Sequence, residues 1–333
     1  MMFGWLTAAI WIGCSGSDKS EEIMAAQKSL SAGELSSAET QLTAVLAEVP
    51  ENAEAASAMA HIHVLKGEYS QAEAVLNAVQ TEDAGVQSQI ALRKALVALQ
   101  AKDFSKAKEV ALGSQEDFAM VLVAEISLMD GEYDEAITYL EKVGGAHRNL
   151  AKSYLKLLDG DEWSQAYAEA QALWALRDFD LAIQSVAGTM EFVSKSALDN
   201  DPNSHIVLWA SRAIAVAQPD VARQLLSLKG APTADADWRV GVLKAMITTV
   251  DGDISAGKAE FKALEGVAPK EALHDARATS VVVLSSLGKD GSSLLSDLRG
   301  TTGAYAAYRA DQQSQASDMV DSRIFERFLN GGL

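Results

Sequence analysis

The sequence predicts an all-α protein built as a superhelical solenoid of antiparallel helix pairs, and three observations carry that expectation. Alanine makes up about one residue in six, while prolines number only five among 333 residues, a composition that favours closely packed helices. A short motif of small and apolar residues recurs along the chain at a nearly fixed period, which marks a repeat architecture rather than two or three compact domains. Hydrophobic residues at 48% against 22% charged are sufficient for a packed core and exclude wholesale disorder.

The first element is a targeting segment. Residues 1–13 carry no charge, and Phe3, Trp5, Leu6, Ala8, Ala9, Ile10, Trp11 and Ile12 form an apolar run ending at Cys14, with Ser15, Gly16, Ser17, Asp18 and Lys19 following. Such a run is shorter than the roughly 20 residues that span a bilayer, so a cleaved secretory signal is expected. Cys14 is the single cysteine of the chain, which leaves no internal disulfide or cysteine metal cluster to form. The run Trp11-Ile12-Gly13-Cys14 resembles the lipobox of bacterial lipoproteins, departing from it in Trp11 and in having no cation before the apolar run. The resemblance implies cleavage after residue 13, acylation of Cys14 and a lipidated linker over 14–20. With Ser15 rather than Asp after the cysteine, it further implies sorting to the outer membrane, facing the periplasm. Retention at the inner membrane and secretion are the alternatives.

The regular repeats occupy 21–145. Gly33, Leu35, Ala38, Leu42 and Val45 recur as Gly67, Tyr69, Ala72, Leu76 and Val79, every member displaced by the same interval. A third copy has Phe104, Ala107 and Ala111, and a fourth, at a shorter spacing, has Gly131, Tyr133, Ala136, Leu140 and Val143. Each type has a physical role in two helices joined by a turn. Gly adopts the left-handed conformation that ends the first helix. The aromatic or aliphatic residue fills the turn, and Ala lets the second helix approach the first closely. These residues, at a period of about 34 residues, resemble the tetratricopeptide repeat (TPR). That family also ends repeats with proline, a place that Pro50, Pro202 and Pro269 would fill.

Residues 146–299 read as degenerate repeats of the same kind. Trp163 with Ala166 is expected to form a fifth turn. Phe179, Ala182 and Val186 follow that motif so closely that too little chain is left for a full repeat, which predicts one long or extra helix. The pattern resumes through 205–228 around Pro219 and through 238–264, with Gly257 where Ala is expected. Residues 272–287 and 292–299 form a last pair. A loop and a C-terminal capping helix are expected over 300–333, the helix amphipathic through Met319, Val320, Ile324, Phe325, Phe328 and Leu329, with a partner-binding helix as the alternative.

No catalytic or cofactor constellation is present in the sequence. His61 and His63 point about 200° apart on a helix and cannot share a metal, so both are expected on the helix surface or in a groove. His147, His205 and His274 stand alone. The Asp-Gly-Asp triplets at 159–161 and 251–253 and the run Asp199-Asn200-Asp201 lack the Gly and Glu of a calcium loop, and the triplets are expected at turns. Gly144-Gly145 reads as loop punctuation. A lytic transglycosylase lobe would have to lie within 270–333, which offers Glu271 and Glu326 without an aromatic sugar cleft. With 28 cationic against 46 acidic residues and a net charge of −18, the chain would repel nucleic acid.

Resemblance to the TPR family implies that the first helices of the pairs line a groove that holds a protein partner. Aligned by repeat, the candidate wall comprises Gln27, Leu30, His61, Val64, Leu92, Leu96, Val121, Glu125 and Leu128. The implied function is a non-catalytic, lipid-anchored scaffold docking an envelope protein, with no cofactor. The alternative is a groove holding a polysaccharide or peptidoglycan strand, which would require at least two exposed tryptophans among Trp163, Trp174, Trp209 and Trp238.

Overall fold

In the computed structural model the described residues are 19–31, 34–193, 202–228 and 231–295. Among them every named element is a helix. They divide into two compact units, one ending at Asp159 and the other starting at Gly160. The first unit contains four antiparallel pairs: α1 (Ser20–Ser31) with α2 (Leu35–Glu48), α3 (Ala53–Leu65) with α4 (Tyr69–Ala78), α5 (Ala84–Gln100) with α6 (Phe104–Ala111), and α7 (Asp117–Met129) with α8 (Tyr133–Leu140). A 3-10 turn at Gly145–His147 leads to a single helix, α9 (Arg148–Leu158), packed on α8. The second unit pairs α10 (Glu162–Ala175) with α11 (Phe179–Val193), α12 (Pro202–Ala215) with α13 (Pro219–Leu226), α14 (Trp238–Asp251) with α15 (Ile254–Ala263), and α16 (Lys270–Ser286) with α17 (Ser292–Leu295).

The pairs share one turn. At Gly67 (φ 74°) and Gly131 (φ 75°) the backbone is left-handed. The following amide reaches back to close the helix: Glu68 N donates to His63 O at 2.8 Å and Glu132 N to Ser127 O at 2.8 Å, while Gly67 N and Gly131 N donate to Val64 O and Leu128 O. This is the two-bond closure that satisfies the last carbonyls of a helix. The same bond pair occurs at Lys102, Arg177 and Ala217, with φ of 58°, 63° and 60°. There a side chain occupies a conformation that costs a non-glycine residue about 1–2 kcal/mol.

These turns correct the expected register of the second half. Trp163 lies in the first turn of α10, not at an inter-helix turn, and the fifth turn is at Arg177. Phe179, Ala182 and Val186 therefore belong to the second helix of an ordinary pair, and the extra helix is α9. Gly33, Pro202's predecessor Asp201 and the tail 300–333 lie outside the described residues. The Asp-Gly-Asp triplets fall at helix junctions as expected, with Asp161 and Asp253 accepting from Ser164 N and Ala256 N as N-caps.

Five positions after each turn stands the small residue that sets the pair's separation. Ala38, Ala72, Ala107, Ala136, Ala182 and Ala222 are fully buried, and Gly257 takes the same place in α15. A methyl group on Gly257 would sit 2.0 Å from Thr249 Oγ1 and 3.2 Å from the Ala245 carbonyl. Alanine itself is too large there, because Thr249 is buried with its hydroxyl donating to Ala245 O at 2.7 Å. Leu35, Tyr69, Phe104 and Tyr133 sit half-buried at the turns.

Ion pairs join one pair to the next. Lys66 bonds Glu39 at 2.6 Å, Lys106 bonds Glu73 at 2.7 Å, and Lys108 bonds both Glu135 at 2.5 Å and Glu132 at 2.8 Å. Arg223 bonds Asp251 at 2.6 Å in the second unit. Two further contacts explain residues whose role is not evident from the repeat pattern. Ser88 Oγ accepts from Gln115 N at 2.7 Å, and Asp117 Oδ1 accepts from Gly144 N at 3.0 Å. Ser88 precedes the turn residue Lys102 by the same interval as Asp117 precedes Gly131, and each ties down the loop after the next helix. Gly144-Gly145 is thus packed against Asp117, where a Cβ on Gly145 would lie 2.7 Å from Oδ2.

Two measurements check the turn and the small-residue position. Gly257→Ala is expected to lower stability by about 1–3 kcal/mol through overpacking, and Thr249→Ala in the same chain to restore part of it. Ala217→Gly is expected to raise stability by about 0.5–1 kcal/mol, the relief of the left-handed backbone less the entropy of glycine. Denaturant titrations of the three variants read both effects.

Candidate functional site

The turns place the nine candidate wall residues in a common register. Gln27, His61, Leu96 and Glu125 each stand six positions before 33, 67, 102 and 131. Leu30, Val64 and Leu128 stand three before, and Leu92 and Val121 ten before. Successive first helices therefore carry equivalent positions, as the repeat alignment predicts.

Their burial does not match an open wall. Gln27, Val64 and Leu92 are half-buried, whereas Leu30, His61, Leu96, Val121, Glu125 and Leu128 are all buried. On α7 every residue from Val121 to Leu128 is buried, so this helix shows water no face over two turns. Apolar side chains at these positions enter the core. The half-buried members are partly engaged as well, since Gln27 Nε2 donates to Glu54 Oε1 at 3.0 Å from α1 to α3.

The group with unusual chemistry is Glu125. It is 2% exposed on a helix otherwise lined by Val, Leu, Ala, Ile and Ser, and Tyr154 of α9 donates its hydroxyl to Oε1 at 3.0 Å. Burial pushes the Glu125 carboxyl up to about 8, with the Tyr154 hydrogen bond opposing the shift. At neutral pH the acid form is held in the α7–α9 packing. Tyr154 lies 29 residues from Glu125, and no repeat position connects the two in the sequence.

His61, His63, His147 and His205 each have a structural setting. His61 is buried, against the expectation of a surface or groove position. His63 pairs with Glu68 at 2.7 Å, His147 lies 5.1 Å from the Phe118 ring, and His205 Nδ1 shares a 2.6 Å hydrogen bond with the Tyr167 hydroxyl. Among the described residues no group of three His, Cys, Asp or Glu side chains is arranged to hold a metal.

In the second unit the aromatic residues pack on each other. Trp209 is fully buried and donates Nε1–H to Tyr167 at 3.2 Å. Trp174 meets it edge-on at 5.8 Å, and Arg212 lies over both rings at 5.0 and 4.6 Å while bonding Gln171. Trp174 and Trp238 are half-buried. The paired exposed tryptophans that a sugar groove requires are not found among these three, and the side chain of Trp163 lies outside the description.

Stability should report the Glu125 carboxyl directly. Its proton is lost from the unfolded chain near the ordinary value of 4.5 and from the folded chain near 8. Stability is therefore fully present below about pH 4.5, falls as pH rises through this window, and levels off above 8. Glu125→Gln, which keeps an acceptor for Tyr154, is expected to remove this slope and to be more stable at pH 7 by up to about 3 kcal/mol, at about 1.4 kcal/mol per pH unit. Urea titrations at pH 5, 7 and 8.5 compare the two chains, and parallel pH profiles would show that Glu125 ionises normally.

Comparison with known proteins agrees with the repeat. Residues 29–99 match the family model of the tetratricopeptide repeat, a span that contains the turn at Gly67 and ends in α5. No curated protein matches the chain. A solved structure of PilF from Pseudomonas aeruginosa aligns at 17% identity over 76% of this chain and 92% of that chain, with a TM-score of 0.35. The matched repeat is one whose stacked pairs serve as scaffolds for protein–protein interaction.

Proposed function

We propose that the protein is a non-catalytic scaffold anchored by lipid on Cys14 to the outer membrane, facing the periplasm, where its helix pairs dock another protein of an envelope assembly. The observation that carries this reading is the repeated pair itself: the turn, the small residue five positions on and the ion pairs between neighbours recur from α3 to α15. The buried polar groups His61, Glu125 and Ser127 lie on the first helices of their pairs. A repeated stack extends surface without building a reaction centre.

The anchor follows from the sequence alone. Among the described residues no helix is long and apolar enough to cross a membrane, and Cys14 follows an uncharged apolar run. An acyl chain supplies membrane affinity at about 0.8 kcal/mol per buried methylene. A surface of net charge −18 would be repelled by anionic headgroups, which favours anchoring through the lipid over adsorption of the body.

Labelling with a fatty-acid analogue, fractionation and crosslinked affinity capture of the intact protein test both parts. The wild-type chain is expected to carry the label, to sediment with outer membrane and to retain one stoichiometric envelope protein. Cys14→Ser should lose the label and the membrane association. A labelled protein that captures nothing in stoichiometric amount would sink the scaffold reading, and an unlabelled, uncleaved wild type would sink the anchor.

A further inference from the structure

Helices α6 and α8 have eight residues each, against 14 in α2 and 10 in α4. Beside the short α6 an open cleft of about 580 Å³ runs against the C-terminal end of α7. Its floor is apolar. Phe104 opens α6 and Leu112 caps its end, while Ile126 and Met129 come from α7. Ile126 is buried, Phe104 and Met129 are half-buried, and Leu112 is 51% exposed. A single leucine on a surface is ordinary, but this one carries an apolar floor out into water.

The rim is acidic. Asp103, Glu109 and Asp130 stand exposed on it, together with Lys102. Lys108 separates the cleft from an adjoining hollow, whose lining adds Glu132, Asp134 and Glu135. Its ammonium group bonds Glu135 at 2.5 Å and Glu132 at 2.8 Å. Six carboxylates thus surround two lysines, one of which is already bonded twice, and the potential over the floor is negative. An acidic segment would be repelled here, and a purely apolar one would leave the rim without a counter-charge. The segment that fits supplies both apolar side chains and cations. A helix is its natural form: α6 runs for about 12 Å, room for about two turns whose anchors recur at i, i+3 or i+4, and i+7. Every named element among the described residues is a helix, so no sheet edge in them offers pairing to an extended strand.

We propose that the cleft between α6 and the end of α7 docks a cationic amphipathic helix of the partner protein, which lays apolar side chains on Phe104, Leu112 and Met129 and sets lysine or arginine against Asp103, Glu109 and Asp130. The proposal rests on the scaffold reading and names the chemistry of the partner. It puts the docking surface beside a second helix and not on the wall of first helices.

Two labelled synthetic helical peptides test it on the full chain, one of leucine and lysine and the other with glutamate in place of every lysine. Anisotropy titration is expected to show saturable binding of the lysine peptide that weakens as salt rises, and much weaker binding of the glutamate peptide. Hydrogen exchange with the lysine peptide bound should slow in 103–112 and 126–135 and stay unchanged in α1 and α3. Leu112→Ser, and separately Glu109→Lys with Asp130→Lys, are each expected to weaken binding roughly tenfold. All three side chains are exposed, so both variants should keep the melting temperature of the wild type. Equal affinity for the two peptides, protection that falls on α1 and α3, or affinity unchanged in both variants would overturn the proposal. Crosslinked capture separates this reading from the one beneath it. If wild type and both variants retain the envelope protein equally, the cleft proposal fails and the scaffold stands; if the wild type retains nothing, the scaffold fails and the cleft proposal with it.

Discussion

The left-handed residue at each turn is the constraint on which the rest of the structure depends. A helix leaves its last carbonyls without partners, and the reversal at 67, 102, 131, 177, 217 and 252 satisfies them with two backbone bonds while turning the chain into the second helix. Because the same bonds recur, the residue five positions later always meets the first helix at its closest approach. That is why five alanines, at 72, 107, 136, 182 and 222, and Gly257 share this register and are buried there. Shift the turn by one residue and the small side chain rotates by about 100°, leaving a larger one in a gap that has no room for it.

This constraint also explains which parts of the fold were legible in the sequence. Where glycine takes the left-handed position, at 67 and 131, the turn can be read from the chain. At Arg177 and Ala217 a side chain tolerates the same φ, so the glycine signal vanishes although the hydrogen bonds do not. Trp163 followed by Ala166 then imitates an aromatic turn residue and its alanine, and the register slips. The wall residues mislead for a different reason. Their equivalence by repeat is readable, but apolar spacing on a helix does not say which stripe is covered, and α7 buries all of its own. The Glu125–Tyr154 bond joins residues 29 apart in helices of unlike kind, one paired and one single, so the repeat offers no place to look. Ser88 and Asp117, by contrast, share one position relative to their turns at Lys102 and Gly131, and aligning polar residues as well as apolar ones would find them.

The charge pattern has a related logic. Lys66, Lys106, Lys108 and Arg223 each bond a carboxylate of a neighbouring pair. Exposed bridges of this kind contribute about 0–1 kcal/mol each, so they add little to stability and act mainly on the register between pairs. Over the whole chain 46 carboxylates outnumber 28 cations, which leaves a net charge of −18. That potential repels polyanions and slows encounter with acidic proteins while it favours basic ones.

Glu125 is the carboxyl buried among the apolar side chains of α7, and its position decides how it can be borne. A carboxyl in the core is tolerated when it keeps its proton and one hydrogen bond, which Tyr154 supplies. The helix that carries it buries Val121, Leu122, Val123, Ile126 and Leu128, and each such side chain contributes about 1.5–3 kcal/mol on burial. That gain exceeds the cost of one displaced ionisation, so α7 stays docked at neutral pH. In a stack each pair is held by its immediate neighbours alone. A cost placed at α7 is therefore felt at the junction with α9, where the regular pairs give way to a single helix, and not evenly along the chain. Acidity at Glu125 and the end of the regular repeat thus coincide in one contact, the Tyr154 hydroxyl.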